Sequence, residues 1–373
     1  LVPNFWEEAP IERHINRRII TFLSEESGLS IDFKSAKFNH PPYIGFSILR
    51  AKFDRWLAEK AEAAGATLVT ELLVENVVKR DGRVVGVDVA GDKLFAKVVI
   101  AADGVLSRLS QQAGLRSDLS TKDVNLGIKE VLNLSREKID ERFGVRGNEG
   151  IANEFVGYCT RGVQGGAFLY TNAESLSLGV IVQARSLIEN QFRAIDLLHE
   201  FKKHPVISPL VDGGELVEYS AHLIPERGLE MSPQLYTDGM LVVGDAAGFV
   251  LAAGLILEGN NFALGSGIAA ANAVIQARTE NDFSKKSLSR YGRLLKESFV
   301  LQDLKTYQKV PQFLENPRMY QSYPDLACAV MEHLFDPGGL PRKRLWRIVF
   351  DAAKGKVSFW QLLKDGIKGA RTL

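Results

Sequence analysis

Apolar positions along this chain follow two periods, and their order divides it. Residues 18–34 alternate as two short strands around a Glu-Glu-Ser-Gly turn, and Pro41-Pro42 then breaks the pattern. From Arg50 to Ala64 the spacing becomes helical. Phe53, Leu57 and Ala61 share one face with Trp56 beside them, and Gly65 stops the helix. Thr67–Thr70 reads as a short strand. β-Branched runs separated by Asp81-Gly82 and Gly91-Asp92 turns predict a meander over 71–103. Asp103-Gly104 closes its last strand, and the next residues, VLSRLSQQAGL, start a helix. Residues 126–182 are strand-rich, 185–203 helical, and 216–224 a strand. After Phe283 nearly every segment has helical spacing, broken by Pro311, Pro317, Pro324, Pro337 and Pro341.

The stretch Leu241–Ala277 carries the most chemistry. An apolar run ends in Gly-Asp-Ala-Ala-Gly, and a Gly/Ala-rich helical pattern follows. The expected unit is a strand that hands over to a helix at Asp245. A helix N-terminus presents free N–H groups and partial positive charge, which suit a phosphate. Asp245 beside it is suited to a sugar-like hydroxyl, and the small residues let backbone approach a large ligand. The alternative is a close-packed helix in which Gly and Ala serve only packing. Asp103-Gly104 is a second acidic turn at a strand end, although such a dipeptide is often a turn and nothing more. Arg50 opens its helix where it could reach a phosphate or simply face solvent. The order of elements predicts two interleaved domains, with the ligand held by segments far apart in sequence.

The hydrophobic fraction is 46% and the charged fraction 24%, ordinary for a globular protein. The net charge of +1 gives no global bias toward nucleic acid, which is not expected as a partner. The charge is uneven, however. Residues 342–373 hold nine basic residues against Asp351 and Asp365, so this tail carries +7 and the remainder −6. Trp346, Phe350, Phe359 and Trp360 interleave with the bases, a composition suited to an anionic membrane surface. An acidic partner or a solvated face are the other readings. Two cysteines, Cys159 and Cys328, are too few for an iron–sulfur cluster within the chain and give no disulfide framework. The six histidines show no metal-ligand spacing. The apolar window Gly239–Leu257 contains Asp245 and four glycines, and reads as strand, turn and helix rather than a membrane span.

Four segments carry a family resemblance: GDAAGFVLAAGLILEGNNFALGSG, LRAKFDRWLAEKAEAAGA, VVIAADGVLSRLSQQAGL and SLSRYGRLLKESFVLQDLKTYQKVPQFLENPRMYQSYPDL. Together they resemble the FAD-dependent electron-transfer-flavoprotein:quinone oxidoreductase family, most nearly its Fix/Etf C-subunit branch of nitrogen-fixing and electron-bifurcating complexes. The likeness covers nearly the whole chain. It implies an α/β fold of two interleaved domains, like that of p-hydroxybenzoate hydroxylase, with a helical C-terminal region. The expected division is 49–116 with 231–300 as an incomplete Rossmann-type FAD domain, 1–48 with 117–230 as a β-rich quinone domain, and 301–373 as the helical region.

The resemblance further implies bound FAD as the redox group. Arg50 would meet its phosphate or ribose side, and Val74 would line the adenine pocket. Asp103 and Gly104 would lie near the pyrophosphate and ribityl chain. Gly244 and Asp245 would bind the ribityl part, and Gly254, Gly259, Asn260 and Asn261 would lie by the isoalloxazine. Implied partners are electron-transfer flavoprotein α/β subunits, a ferredoxin-like 4Fe–4S subunit and a membrane quinone, at the inner face of the cell membrane on the cytoplasmic side. No acid–base residue is assigned. Two departures stand out: the chain has no GxGxxG and is expected to begin just downstream of that unit, and it lacks the 4Fe–4S ligands of the mitochondrial-type member. A prenyl (geranylgeranyl) reductase-type flavoenzyme and a scaffold that docks partners without FAD are the competing readings.

Overall fold

The computed structural model describes residues 2–373 except 232, 233, 255, 337 and 340. Leu255 of the glycine-rich segment and Pro337 among the expected helix breakers lie outside the described residues.

An eight-stranded sheet dominates the molecule. Its order runs Glu215–Pro225, Val124–Asn133, Ser175–Gln183, Gly165–Thr171, Glu149–Gly157, Ile11–Leu23 and Gly28–Lys34, with Phe46–Ile48 also paired to Ile11–Leu23. Ile11–Leu23 pairs with Glu149–Gly157 in parallel and with its other neighbours antiparallel. Leu176, Leu178, Val180 and Val182 alternate along one strand and are wholly buried, as a period of two requires. Leu197, Leu198 and Phe201 of the helix Ala194–Lys203 join the same core. Phe201 meets Phe155 edge-on, with ring centroids 5.0 Å apart.

A second core forms around two short parallel strands, Val99–Ala101 and Met240–Val242. Each ends in one of the acidic turns. The long helix Asn260–Glu280 packs Phe262, Ser266, Ala269, Ala270, Ala273 and Ala277 into this core. The meander Val74–Arg80, Arg83–Val89 and Asp92–Phe95 stands beside it. Its turns place Asp81-Gly82 and Ala90-Gly91 at positive φ, the geometry that suits a tight hairpin.

The mixed α/β fold and the helical C-terminal region agree with expectation; several local details differ. Thr67–Thr70 is not a strand: residues 61–76 are exposed, and no described strand pairs with 67–70 to make a ladder. The second hairpin turn sits one residue earlier than expected. The run after it splits, because Asp92–Phe95 stays in the meander while Val99–Ala101 crosses to the other sheet. The helix after the Gly-Asp turn starts at Asn260 rather than beside Asp245. Gly244–Ala247 forms a single 3-10 turn, and Gly248 and Gly254 at φ +73° and +88° interrupt any helix between them.

In the C-terminal region, Asp365 ties the last helix, Phe359–Thr372, to the segment 316–323. It accepts hydrogen bonds from Asn316 (2.8 Å), Arg318 (2.8 Å) and Tyr323 (2.5 Å). Burial pushes its carboxyl up, but these donors outweigh burial and hold it below the usual range. Trp346, Phe350, Phe359 and Trp360 are each more than 60% exposed. No helix among the described residues is long and apolar enough to cross a membrane.

Candidate functional site

The parallel strands bring the two acidic turns side by side, with Val99, Ile100 and Ala101 facing Met240, Leu241 and Val242. Gly244 adopts φ +57°, and a Cβ there would lie 3.3 Å from that of Ala263. Its N–H donates to Ser266 Oγ at 3.0 Å. The absence of a side chain therefore lets the turn lie against the long helix. Asp245 is half-buried. Gly259 caps the helix start, and a Cβ on it would sit 3.8 Å from Asp245 Oδ1. The acid thus lies beside the helix N-terminus although the helix begins fifteen residues later.

Arg50 enters from a third segment. Its Nε donates to Asp54 at 2.7 Å and its Nη1 to Asn260 Oδ1 at 3.4 Å. The Asp54 bond raises the pKa of Arg50, with Asp245 adding attraction. For Asp245 burial dominates and pushes the carboxyl up, while Arg50 pulls it back. No described group hydrogen-bonds to the Asp245 side chain. Arg50, Gly244, Asp245, Gly259 and Asn260 therefore form one group: a cation, an unpartnered acid and a helix N-terminus, with little side-chain bulk between them.

The remaining expected residues are placed differently. Asp103 uses its carboxylate on its own turn, accepting from Ser107 Oγ at 3.3 Å and from the Leu109 N–H at 3.1 Å. Gly104 adopts φ +73° with open space where a Cβ would be. Asn261 donates to Glu258 at 2.6 Å. Gly254 lies against Leu373, whose Cδ2 is 2.6 Å from a Cβ built there. Val74 opens the meander and is exposed. Neither Val74 nor Gly254 has a described contact with the Arg50–Asp245 group.

Two buried charged residues escaped the sequence reading. Arg116 donates from Nη1 to Val105 O at 2.7 Å and Ala246 O at 3.3 Å, and so spans both turns. Glu226 follows the last strand of the large sheet. Its Oε1 accepts from Gln164 Nε2 at 2.7 Å, and its Oε2 is buried without a described partner. Burial pushes this carboxyl up to about 7 against opposition from Gln183, Arg227 and Gln164. Neither residue belongs to a motif, and each has a polar or charged sequence neighbour, Ser117-Asp118 and Arg227, so nothing in the sequence marks it for burial. A cavity of about 710 Å³ lies elsewhere, between the Ser24–Glu26 turn, Tyr158–Gly162 and Tyr320–Glu332. It includes none of the ten expected residues. Its polar, acid-rich wall does not suit an apolar ring substrate.

Comparisons with known proteins bear on the family and the fold. Residues 310–373 match the family described as ETF-QO/FixC family C-terminal domain, and 124–224 match that described as ETF-QO, ubiquinone-binding. Protein FixC of Escherichia coli K12 is 43% identical over 373 residues, covering 100% of this chain and 87% of the relative. The probable electron transfer flavoprotein-quinone oxidoreductase YdiS of the same organism is 41% identical with the same coverage. Among solved structures, a geranylgeranyl bacteriochlorophyll reductase-like protein from Thermoplasma acidophilum superposes with a TM-score of 0.70 at 21% identity, over 96% of this chain and 83% of that one. The FAD-dependent halogenase CndH gives 0.61 at 16% identity, over 99% of this chain and 77% of that one. These two likenesses establish the fold, that of FAD-dependent halogenases and reductases, and the sequence relatives establish more: the chain belongs to the electron-transfer-flavoprotein:quinone oxidoreductase/FixC family.

Proposed function

We propose that this chain is a flavoprotein oxidoreductase that holds FAD at the paired acidic turns and passes electrons from a protein donor to a quinone. The observation that carries the reading is the convergence of Arg50, Asp245 and Asn260 from three separate segments, with Asp245 half-buried and lacking a hydrogen-bond donor. Burial pushes this carboxyl up, and a polyol hydroxyl donating to it would favour its charged form. Gly104 leaves open space where a side chain would be, while Gly244 and Gly259 let the turn and the helix start lie close together. These residues fit the ribityl and phosphate side of FAD; the sequence contains no GxGxxG loop. Bound FAD would supply the redox chemistry. The chain's part is to hold it: Asp245 accepting from a ribityl hydroxyl, Arg50 facing phosphate, and the start of the long helix favouring negative charge.

The proposed division assigns 49–116 and 231–300 to FAD, 1–48 and 117–230 to the substrate or quinone, and 301–373 to a helical C-terminal region with the basic tail. The donor is proposed to be an electron-transfer flavoprotein, with a ferredoxin-like subunit in the relay. The test is flavin absorbance after purification with added FAD, followed by reduction of a quinone analogue by the partner-reduced protein. A flavin-free protein would refute the oxidoreductase reading and leave a docking scaffold. Saturation of a prenyl chain without quinone reduction would favour the reductase alternative. That alternative expects a cysteine by the flavin, whereas Cys159 lies in the large-sheet core and Cys328 in the helix Ser322–Phe335.

The basic tail is proposed to rest on the anionic inner face of the cell membrane, on the cytoplasmic side, through its exposed aromatics and lysines. Replacing Lys354, Lys356, Lys364 and Lys368 with Glu should abolish co-sedimentation with anionic liposomes, since each cation contributes about 1 kcal/mol near such a surface. Unchanged co-sedimentation would assign the tail to a protein partner instead.

A further inference from the structure

Arg116 is 94% buried by the complement of its 6% exposure, and one nitrogen accounts for its only described hydrogen bonds. Nε and Nη2 are buried with no partner. A guanidinium stays charged in proteins, so this cation cannot escape its position by losing a proton. The nearby acids do not pair with it. Asp103 is engaged by Ser107 and Leu109, and Asp123 accepts from Ser120 N–H and Oγ at 2.9 and 2.7 Å. Burial depresses the pKa of Arg116, and the attraction of Asp103 and Asp123 only offsets this in part. A carbonyl tie between the turns would need one nitrogen; it leaves the other two unexplained. Buried charges in proteins are paired or hydrogen-bonded.

We propose that Arg116 is a ligand-binding residue for an anionic group of the dinucleotide seated between the two acidic turns. The inference rests on the FAD reading above and adds a contact to it. Two parts of FAD offer this chemistry: its phosphates, which are always anionic, and its ring, which becomes anionic when reduced.

The test compares wild type, Arg116→Gln and Arg116→Lys by FAD titration, flavin midpoint potential, and melting temperature with and without inorganic pyrophosphate. If phosphate is the partner, Arg116→Gln weakens FAD binding about 30-fold or more and Arg116→Lys less. If the ring is the partner, affinity for oxidised FAD is unchanged. The midpoint potential then falls by about 30 mV for each tenfold loss of preference for the reduced form. A folded Arg116→Gln with unchanged affinity and potential overturns the proposal. If Arg116→Gln does not fold, Arg116→Lys decides by the same two readouts. Should wild type bind no FAD, the functional reading fails on its own. The anion site then survives only if pyrophosphate raises the melting temperature of wild type and not of the variants; no such rise overturns it too.

Discussion

Two buried arginines show how differently the two halves of this molecule treat charge. Arg13, in the large sheet, is fully buried and fully used. Its Nε donates to Asn172 O at 2.7 Å, its Nη1 to Glu149 O at 2.9 Å, and its Nη2 forms a 2.7 Å ion pair with Asp140. Arg116, between the acidic turns, is nearly as buried and leaves two nitrogens idle. Asp245 repeats the contrast: it too lacks a described donor. Around Arg13 the sheet supplies a partner for each guanidinium nitrogen, although Asn16, Asn172 and Glu226 in the same half each keep a buried side-chain oxygen without a described partner. The contrast is therefore between the two arginines themselves. Burial alone marks neither as functional; the difference lies in what the buried group touches.

That contrast can be broken by mutation. Arg13→Met should cost about 3–5 kcal/mol in chemical denaturation, because it strands Asp140 and two carbonyls. Arg116→Gln should cost about 1 kcal/mol or less in the same measurement. Equal losses would erase the distinction.

Glu226 supplies a pH test at the end of the large sheet. Its folded pKa of about 7 exceeds the ordinary 4.5, so the folded state holds an extra proton between these values. The stability this provides is full below pH 4.5 and is lost as pH rises through about 7. Glu226→Gln keeps an acceptor for Gln164 and removes the titration. Relative to wild type it should gain about 3 kcal/mol between pH 4.5 and 8. A pH-independent difference would refute the shift.

The smallest expected effect is the sharpest for the site. Asp245→Ala should weaken FAD binding about tenfold while leaving stability unchanged or raised by up to ~1 kcal/mol, the trade expected where a group serves a ligand rather than the fold. A clear loss of stability would show that Asp245 belongs to the framework.

Much of this was legible in the chain, for identifiable reasons. The Asp81-Gly82 turn, the helix from Arg50 and the strand after Glu215 follow from local rules, and the structure keeps them. The strand Glu149–Gly157 falls inside the strand-rich block 126–182, but EGIANEFVG has no β-branched run to mark its bounds; six of its nine residues are buried by the sheet around it rather than by its own pattern. Thr67–Thr70 has strand-like residues but no ladder to join. The helix start was misplaced because alanine and glycine from 246 to 254 read equally well as helix, until Gly248 and Gly254 turn left-handed. At the site, Arg50, Asp245 and Asn260 were named from sequence, whereas Arg116 was invisible: its meaning lies in carbonyls 11 and 130 residues away.

The three-residue parallel pairing of Val99–Ala101 with Met240–Val242 works as a gauge. It fixes how far apart the two acidic turns stand by main-chain register, whatever side chains the strands carry. Homologues should therefore tolerate wide drift in the identities of those six residues while rejecting any insertion or deletion between them and the turns. The reach of the site is written in residue counts, and length, more than composition, is what selection would guard there.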